Sequence, residues 1–204
     1  MIKINDFKDI NPLQIFGDIK KYMAYNISAS SIDGLIMELG VYKGNTLNHI
    51  ADIVSPKIVT GFDSFNGLPE PWEMSEAVTV EAGRFSVKSE IPKIRKNATL
   101  EIGLFSDTLS TWLDQQGENI QFLHLDCDLY SSTIDALTIL NPKIKSGTIM
   151  VFDDLYAWQD EDDYPYWRRG QWKALREWVN DNDREIEIVS RMKRRFSGAI
   201  KVLY

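Results

Sequence analysis

Several things are scarce in this 204-residue chain, and each scarcity removes a class of protein. It has one cysteine, Cys127, so it cannot close an intrachain disulfide, which fits a reducing compartment. Its two histidines, His49 and His124, stand in no zinc-binding spacing, and no serine triad is in evidence. No apolar run reaches the roughly 20 residues needed to span a bilayer. The opening stretch, MIKINDFKDINPLQ, lacks the apolar core of a signal peptide. A soluble, cytoplasmic protein with no membrane partner is expected. Positive charge is also short: 23 Lys and Arg against 30 Asp and Glu leave a net charge of -7. That argues against a protein whose task is gripping nucleic-acid phosphates. One basic run, Arg191 to Arg195, reads as a solvated turn between two strands, with an anionic substrate contact as its alternative.

The chain, 44% hydrophobic, carries apolar runs alternating with helical patterns and no internal repeat. Gly34–Leu39 reads as a strand, and Leu47, Ile50, Ala51 and Val54 then fall on one face of a helix that ends at Pro56. Lys57–Phe62, Thr99–Ile102, Ile120–Leu125 and Thr148–Phe152 read as further strands. Helical patterns follow three of them: a short one capped by Ser106, one over Ser131–Leu140, and one marked by Trp172, Leu175 and Val179. Two late strands near 185–190 and 196–203 have only a short connection, which predicts an antiparallel hairpin. The fold class is therefore α/β: a mostly parallel sheet with helices on both faces and a C-terminal hairpin, in a single domain over 1–204. Phe16, Ile19 and Met23 place an amphipathic helix within residues 1–30, and the irregular stretch 67–96 reads as a flap beside the site.

The sharpest local motif is Glu38-Leu-Gly40-Val-Tyr42-Lys-Gly44, between a strand and a helix. Its glycines permit a tight turn close to a ligand, and the helix beyond Gly44 offers free N–H groups, with Asn45 and Thr46 beside them. The spacing E-x-G-x-x-x-G differs from the G-x-G-x-x-G of dinucleotide sites. Asp63 ends the second strand about 20 residues on, where an acid accepts ribose hydroxyls; Ser64 and Phe65 follow it. Phe65 on one side, and Phe105 and Asp107 on the other, are placed against a base.

Acidic residues gather at two further strand ends, in Asp126-Cys-Asp128 and Asp153-Asp154. If those strands are neighbours, Asp126, Asp153 and Asp154 converge, and carboxylates that close repel unless a cation joins them. Hard oxygen donors suit Mg²⁺ or Ca²⁺. Asp128 is assigned instead to capping the next helix, and His124 to the sheet.

These motifs resemble the macrocin O-methyltransferase type of class I methyltransferase. The resemblance rests on Met37–Gly44, Gly61-Phe-Asp-Ser-Phe-Asn-Gly-Leu-Pro69, Gly103–Leu109, His124-Leu-Asp-Cys-Asp-Leu-Tyr130 through Leu137, and Val151–Asp154. It implies a Rossmann-like methyltransferase sheet, S-adenosylmethionine as methyl donor, a Mg²⁺ site of Asp126, Asp153 and Asp154, and a small-molecule acceptor, in the family a sugar of a natural product. The flap is shorter than the family's, and the stretch after Asp154 departs from it, so the sugar does not carry over directly. The expected reaction is metal-assisted O-methylation with Asp126 taking the proton. A metal-independent N- or O-methyltransferase, a nicotinamide oxidoreductase and a non-catalytic module are the alternatives. A homo-oligomer is left open. Trp72, Tyr156, Trp158, Trp167 and Trp172 are either an acceptor pocket or core.

Overall fold

The computed structural model describes residues 14–88, 90–157, 163–193 and 195–204; the leader reading of residues 1–13, Trp158 and Arg194 lie outside them. The strands are β1 (Gln14–Phe16), β2 (Leu35–Leu39), β3 (Val59–Asp63), β4 (Trp72–Glu73), β5 (Thr79–Val80), β6 (Ala98–Ile102), β7 (Ile120–Leu125), β8 (Ile149–Phe152), β9 (Ile186–Met192) and β10 (Gly198–Val202). The helices are α1 (Ile19–Ala29), α2 (Asn45–Val54), α3 (Phe105–Leu113), α4 (Tyr130–Leu140) and α5 (Gln171–Asp181). The main sheet runs β1-β9-β10-β8-β7-β2-β3-β6. Its pairs are parallel except those of β10, which is antiparallel to both β8 and β9. The expected α/β layout and terminal hairpin are therefore present. The edge strand β1, three residues beside β9, had no legible signal.

Side-chain alternation decides what each sheet face covers. Ile36, Phe122, Ile149 and Val151 pack under α1 and α2 with Tyr22, Met23, Leu47 and Ile50. Met37, Leu39, Leu123, Leu125, Met150 and Phe152 pack under α3, α4 and α5 with Leu109, Leu137, Trp172 and Trp178. Burial on both faces explains why these strands are apolar throughout. Trp72, Tyr156, Trp167 and Trp172 are buried core, which settles their role. α1 packs on the sheet rather than over a pocket: it buries Tyr22, Met23, Asn26 and Ile27. Two helix starts differ from expectation. α3 begins after Leu104 and α4 after Leu129, neither with a side-chain cap, so Ser106 and Asp128 are not caps.

The site lies where β2 and β7 adjoin and the chain departs in opposite directions, the topological switch point of an open parallel sheet. Ladder bonds continue past the strand ends, from Gly40 N–H to Phe62 O (2.9 Å) and from Asp126 N–H to Leu39 O (2.8 Å). Gly40 has φ +91°, and a Cβ there would lie 1.8 Å from the Asp126 carbonyl oxygen. Only glycine lets these two turns touch. Gly40→Ala is expected to destabilise the protein by more than about 1 kcal/mol, because it adds a backbone clash to a left-handed strain. Gly117→Ala, where a Cβ meets nothing within 4 Å, should stay within about 0.5 kcal/mol in the same urea unfolding experiment.

Candidate active site

A cavity of about 380 Å³ opens at the carboxyl ends of β2, β3, β6 and β7. Of the predicted cofactor residues, Gly40, Tyr42, Asp63, Ser64, Phe105 and Asp126 line it. The others do not. Gly44 is buried, with a Cβ position 3.2 Å from Pro92 of the flap, so the flap covers the start of α2. Asn45 and Thr46 lie beyond it on α2, off the lining. Phe65 is buried on the α2 side of the sheet, and Asp107 is exposed in the first turn of α3. Phe85, Leu68 and Glu70 of the flap complete walls that the sequence did not assign. The flap's docking needs Gly67 (φ +84°), where a Cβ would lie 2.3 Å from Arg84 O, and Leu68 N–H bonds that same oxygen at 2.9 Å.

Asp63 holds two turns together. Its Oδ2 accepts the N–H groups of Val41 (2.8 Å) and Tyr42 (2.7 Å), and its Oδ1 accepts that of Phe65 (2.7 Å). Tyr42 and Phe65 sit at φ +49° and +58°, a conformation costly for side chains with a Cβ, and the carboxylate bonds offset it. The residue expected to bind ribose is therefore first a clasp, and it also lines the cavity.

Glu38 does not line the cavity. It is fully buried, and its Oε1 lies 2.9 Å from His124 Nδ1 on the neighbouring strand. Burial opposes a charge on either group and pushes Glu38 up. For His124 the Glu38 bond and charge, then Asp126 and Asp153, outweigh burial and raise it to about 9. Both shifts favour a proton held within the pair. Glu38 Oε2 and His124 Nε2 are buried without a hydrogen-bond partner among the described residues. Truncating one member leaves the other a buried charge, at a cost of about 3–5 kcal/mol.

The carboxylates that meet are Asp126, Asp128 and Asp154, each with an oxygen within 4.8 Å of the others'. The expectation had Asp153 in place of Asp128. Asp126 follows Phe122 and His124 on the face that Ile149 and Val151 share, so Asp153 is its neighbour across the two strands. Asp153 continues the face of Ile149 and Val151, where its charge acts on Tyr22, Glu38 and His124. Asp154 continues the face of Met150 and Phe152 and is buried. Asp128 reaches it from a left-handed turn at φ +56°, and the two share a hydrogen bond. Asp153 remains close enough that its charge, after burial, is the next cause raising both Asp126 and Asp154 well above the usual range. Burial, with Asp153 and Asp63, pushes Asp128 up to about 6 against the Asp154 bond.

Gln171 is the organiser that sequence reasoning missed. It is fully buried; its Oε1 accepts Asp154 N–H (3.0 Å) and its Nε2 donates to Leu125 O (3.2 Å), joining β7 and β8 at the cluster. A glutamine opening α5 gives no periodic signal, so only contacts reveal it. Cys127, between Asp126 and Asp128, is pushed up to about 12 by burial and is no nucleophile.

The profile of the macrocin-O-methyltransferase (TylF) family matches residues 18–169. The chain belongs to that family. Among its curated relatives, a tetracenomycin rhamnosyl 4'-O-methyltransferase of Streptomyces olivaceus is 28% identical over 153 residues, covering 67% of this chain and 59% of that protein. Demethyldecarbamoylnovobiocin O-methyltransferase of Streptomyces niveus is 27% identical over 148 residues, with 63% and 55% covered. The chain thus spans a little over half of the curated relatives it matches. Among solved structures, the calicheamicin methyltransferase CalS11 aligns with a TM-score of 0.67 at 22% identity, covering 90% of this chain and 77% of that one. The O-methyltransferase NovP aligns at 0.64 and 21%, covering 91% and 80%. These likenesses establish the class I methyltransferase fold.

Two outcomes check the site's electrostatics. Asp63→Asn puts an amide donor against a backbone N–H and should lower the unfolding free energy of the cofactor-free protein by about 1–3 kcal/mol, with a lower thermal midpoint and faster amide exchange at Val41, Tyr42 and Phe65. A pure ribose ligand would leave cofactor-free stability unchanged. The raised Asp128 makes the fold hold a proton that the unfolded chain releases, so its contribution to stability falls as pH rises from 3.8 through about 6. Asp128→Asn should therefore gain stability relative to wild type across that window in metal-free buffer, and show no such trend below it.

Proposed function

We propose that the protein is an S-adenosylmethionine-dependent O-methyltransferase acting on a hydroxyl of a small glycosylated molecule, assisted by a divalent cation. The observation that carries this is one cavity shared by the Asp63-clasped glycine turn and the Asp126–Asp128 acids, in a chain of the macrocin-O-methyltransferase family. The relatives named above methylate oxygens of natural products, which supports an acceptor of that class.

The donor set fits a hard cation: three carboxylates converge, and burial with mutual repulsion raises each of them, a cost that a cation would relieve. Asp126 and Asp154 are common to the sequence expectation and the observed cluster, with Asp128 and Asp153 on either side. A bound Mg²⁺ would supply the Lewis acidity that lowers the pKa of an acceptor hydroxyl. Asp126 lines the cavity, which supports a role in holding that hydroxyl's proton at its carboxylate. Tyr42, Phe85, Leu104 and Phe105 exclude water from the half beside the glycine turn, where the adenosyl group would lie. His124 offsets the negative charge beneath Asp126, and Gln171 fixes the backbone that carries Asp154. The remaining task is positioning, worth up to about 7–11 kcal/mol in well-oriented systems.

Calorimetry tests this reading. Wild type should bind adenosylhomocysteine at one site and, separately, Mg²⁺ with release of protons. Asp154→Asn should weaken Mg²⁺ at least about tenfold while changing adenosylhomocysteine affinity less than about threefold. Unchanged Mg²⁺ binding in that variant would favour the metal-independent alternative, and binding of NADH in place of adenosylhomocysteine would exclude methyl transfer.

A further inference from the structure

The flap wall from Gly67 to Glu70 runs on into Trp72 of β4, which is buried and off the cavity lining. Trp72 is held by a residue far along the chain. Its Nε1–H donates to the Tyr164 hydroxyl at 3.2 Å, and the two rings meet edge to face at 5.7 Å. Two residues on, Tyr166 N–H donates to Met74 O at 3.1 Å. The hairpin of β4 and β5 therefore docks on the segment 164–169 through one side-chain bond and one backbone bond. The Arg169–Glu73 pair beside them is exposed, at 3.9 Å, and adds little.

Tyr164 is fully buried and touches the supports on both sides of Asp154. A Cβ on Gly170 would stand 2.5 Å from its hydroxyl, so the phenol sits against the residue that leads into α5 and Gln171. Gln171 in turn accepts the N–H of Asp154 and donates to Leu125 O. The Tyr164 ring packs on Phe196 with centroids 5.1 Å apart. Phe196 O accepts the N–H groups of Leu155 (3.1 Å) and Tyr156 (3.0 Å), the two residues after Asp154. Burial keeps the phenol neutral, against the Trp72 bond and with the charges of Asp154 and Asp128. A neutral hydroxyl accepts the Trp72 N–H without adding a charge beside the acids.

We propose that Tyr164 is a positioning residue that couples docking of the flap, through Trp72, to the backbone that aims Asp154 at a cation. A cation drawn between Asp126, Asp128 and Asp154 fixes Asp154. Gln171 and Phe196 pass that restraint to Tyr164, and Tyr164 passes it to Trp72 through contiguous packed contacts. The flap then docks more firmly on a site that holds its cation, and by linkage a docked flap tightens the cation by the same factor. Neither Trp72 nor Tyr164 lines the cavity, so the effect runs through the protein and not through contact with substrate. The inference rests on the cation-assisted reading and deepens it by naming the residues that govern the cation site.

The full-length protein is tested first without metal, by amide exchange in wild type, Tyr164→Phe and Trp72→Phe. Each variant keeps a ring in the core and removes the bond between the two side chains. Exchange at Asp154, Leu155 and Tyr166 should quicken at least about tenfold in both, while Val41 and Tyr42, held by Asp63, exchange as in wild type. Mn²⁺ is then titrated as the probe and followed by electron paramagnetic resonance. In wild type it should slow exchange at Tyr166. In both variants it should bind about tenfold more weakly, as when an outer partner of a metal ligand is lost, with adenosylhomocysteine affinity within about threefold of wild type. The double variant should bind Mn²⁺ no more weakly than the weaker single variant, because both substitutions remove one bond. Quickening spread evenly over all amides would overturn the proposal, since loss of global stability alone gives that pattern. Unchanged Mn²⁺ affinity in both variants would overturn it too, as would exchange at Tyr166 that ignores Mn²⁺ in wild type. Failure of wild type to bind Mn²⁺ would instead overturn the cation reading, and the metal-free exchange would still decide whether Trp72 and Tyr164 restrain Asp154.

Discussion

The backbone contact between Gly40 and the carbonyl of Asp126 governs most of the site. A Cβ at residue 40 would sit 1.8 Å from that oxygen, so the turn after β2 and the turn after β7 meet only because residue 40 is glycine. The contact lies at the switch point of the sheet, where neighbouring chains depart to opposite sides and leave a crevice. It places the loop clasped by Asp63 beside the first of the clustered acids. Without it the two halves of the cavity would not share a floor.

Two kinds of electrostatic arrangement then divide the work. Asp63 satisfies three backbone N–H groups and holds strained turns at Tyr42 and Phe65 in place before any ligand arrives. Asp126, Asp128 and Asp154 do the reverse: burial and mutual repulsion keep them hungry for a proton or a cation. The buried His124–Glu38 pair, below Asp126, keeps part of that negative charge tolerable. Pre-formed order on one side and stored repulsion on the other suit a site that binds an organic cofactor and then admits a cation.

Much of this was legible in the sequence, because strand periodicity and strand-end residues are local signals. The order of strands, the terminal hairpin, the glycine turn, Asp63 and Asp126 all follow from patterns within a few residues of each other. Direction was less legible. Glu38 lies in the glycine motif, yet alternation turns it under the sheet toward His124. Asp153 and Asp154 are neighbours in sequence and face opposite sides of the strand, and Asp128 joins Asp154 from a left-handed turn that no local pattern announces. Gly44, Asn45 and Thr46 were placed against a ligand, but Pro92 of the flap covers the start of their helix, a contact across 48 residues of chain that no local pattern encodes. Gln171 escaped notice for the same reason, its partners being Leu125 and Asp154.

The account's central claim is that cofactor and cation occupy one cavity, with the transferable methyl facing the acids. Paramagnetic relaxation measures this directly. The protein is loaded with S-adenosylmethionine carrying a ¹³C methyl group, and Mn²⁺ is titrated in place of Mg²⁺. Strong broadening of the methyl resonance, lost in Asp154→Asn although the cofactor stays bound, is the predicted result. A methyl resonance that stays sharp with both Mn²⁺ and cofactor bound would contradict the account.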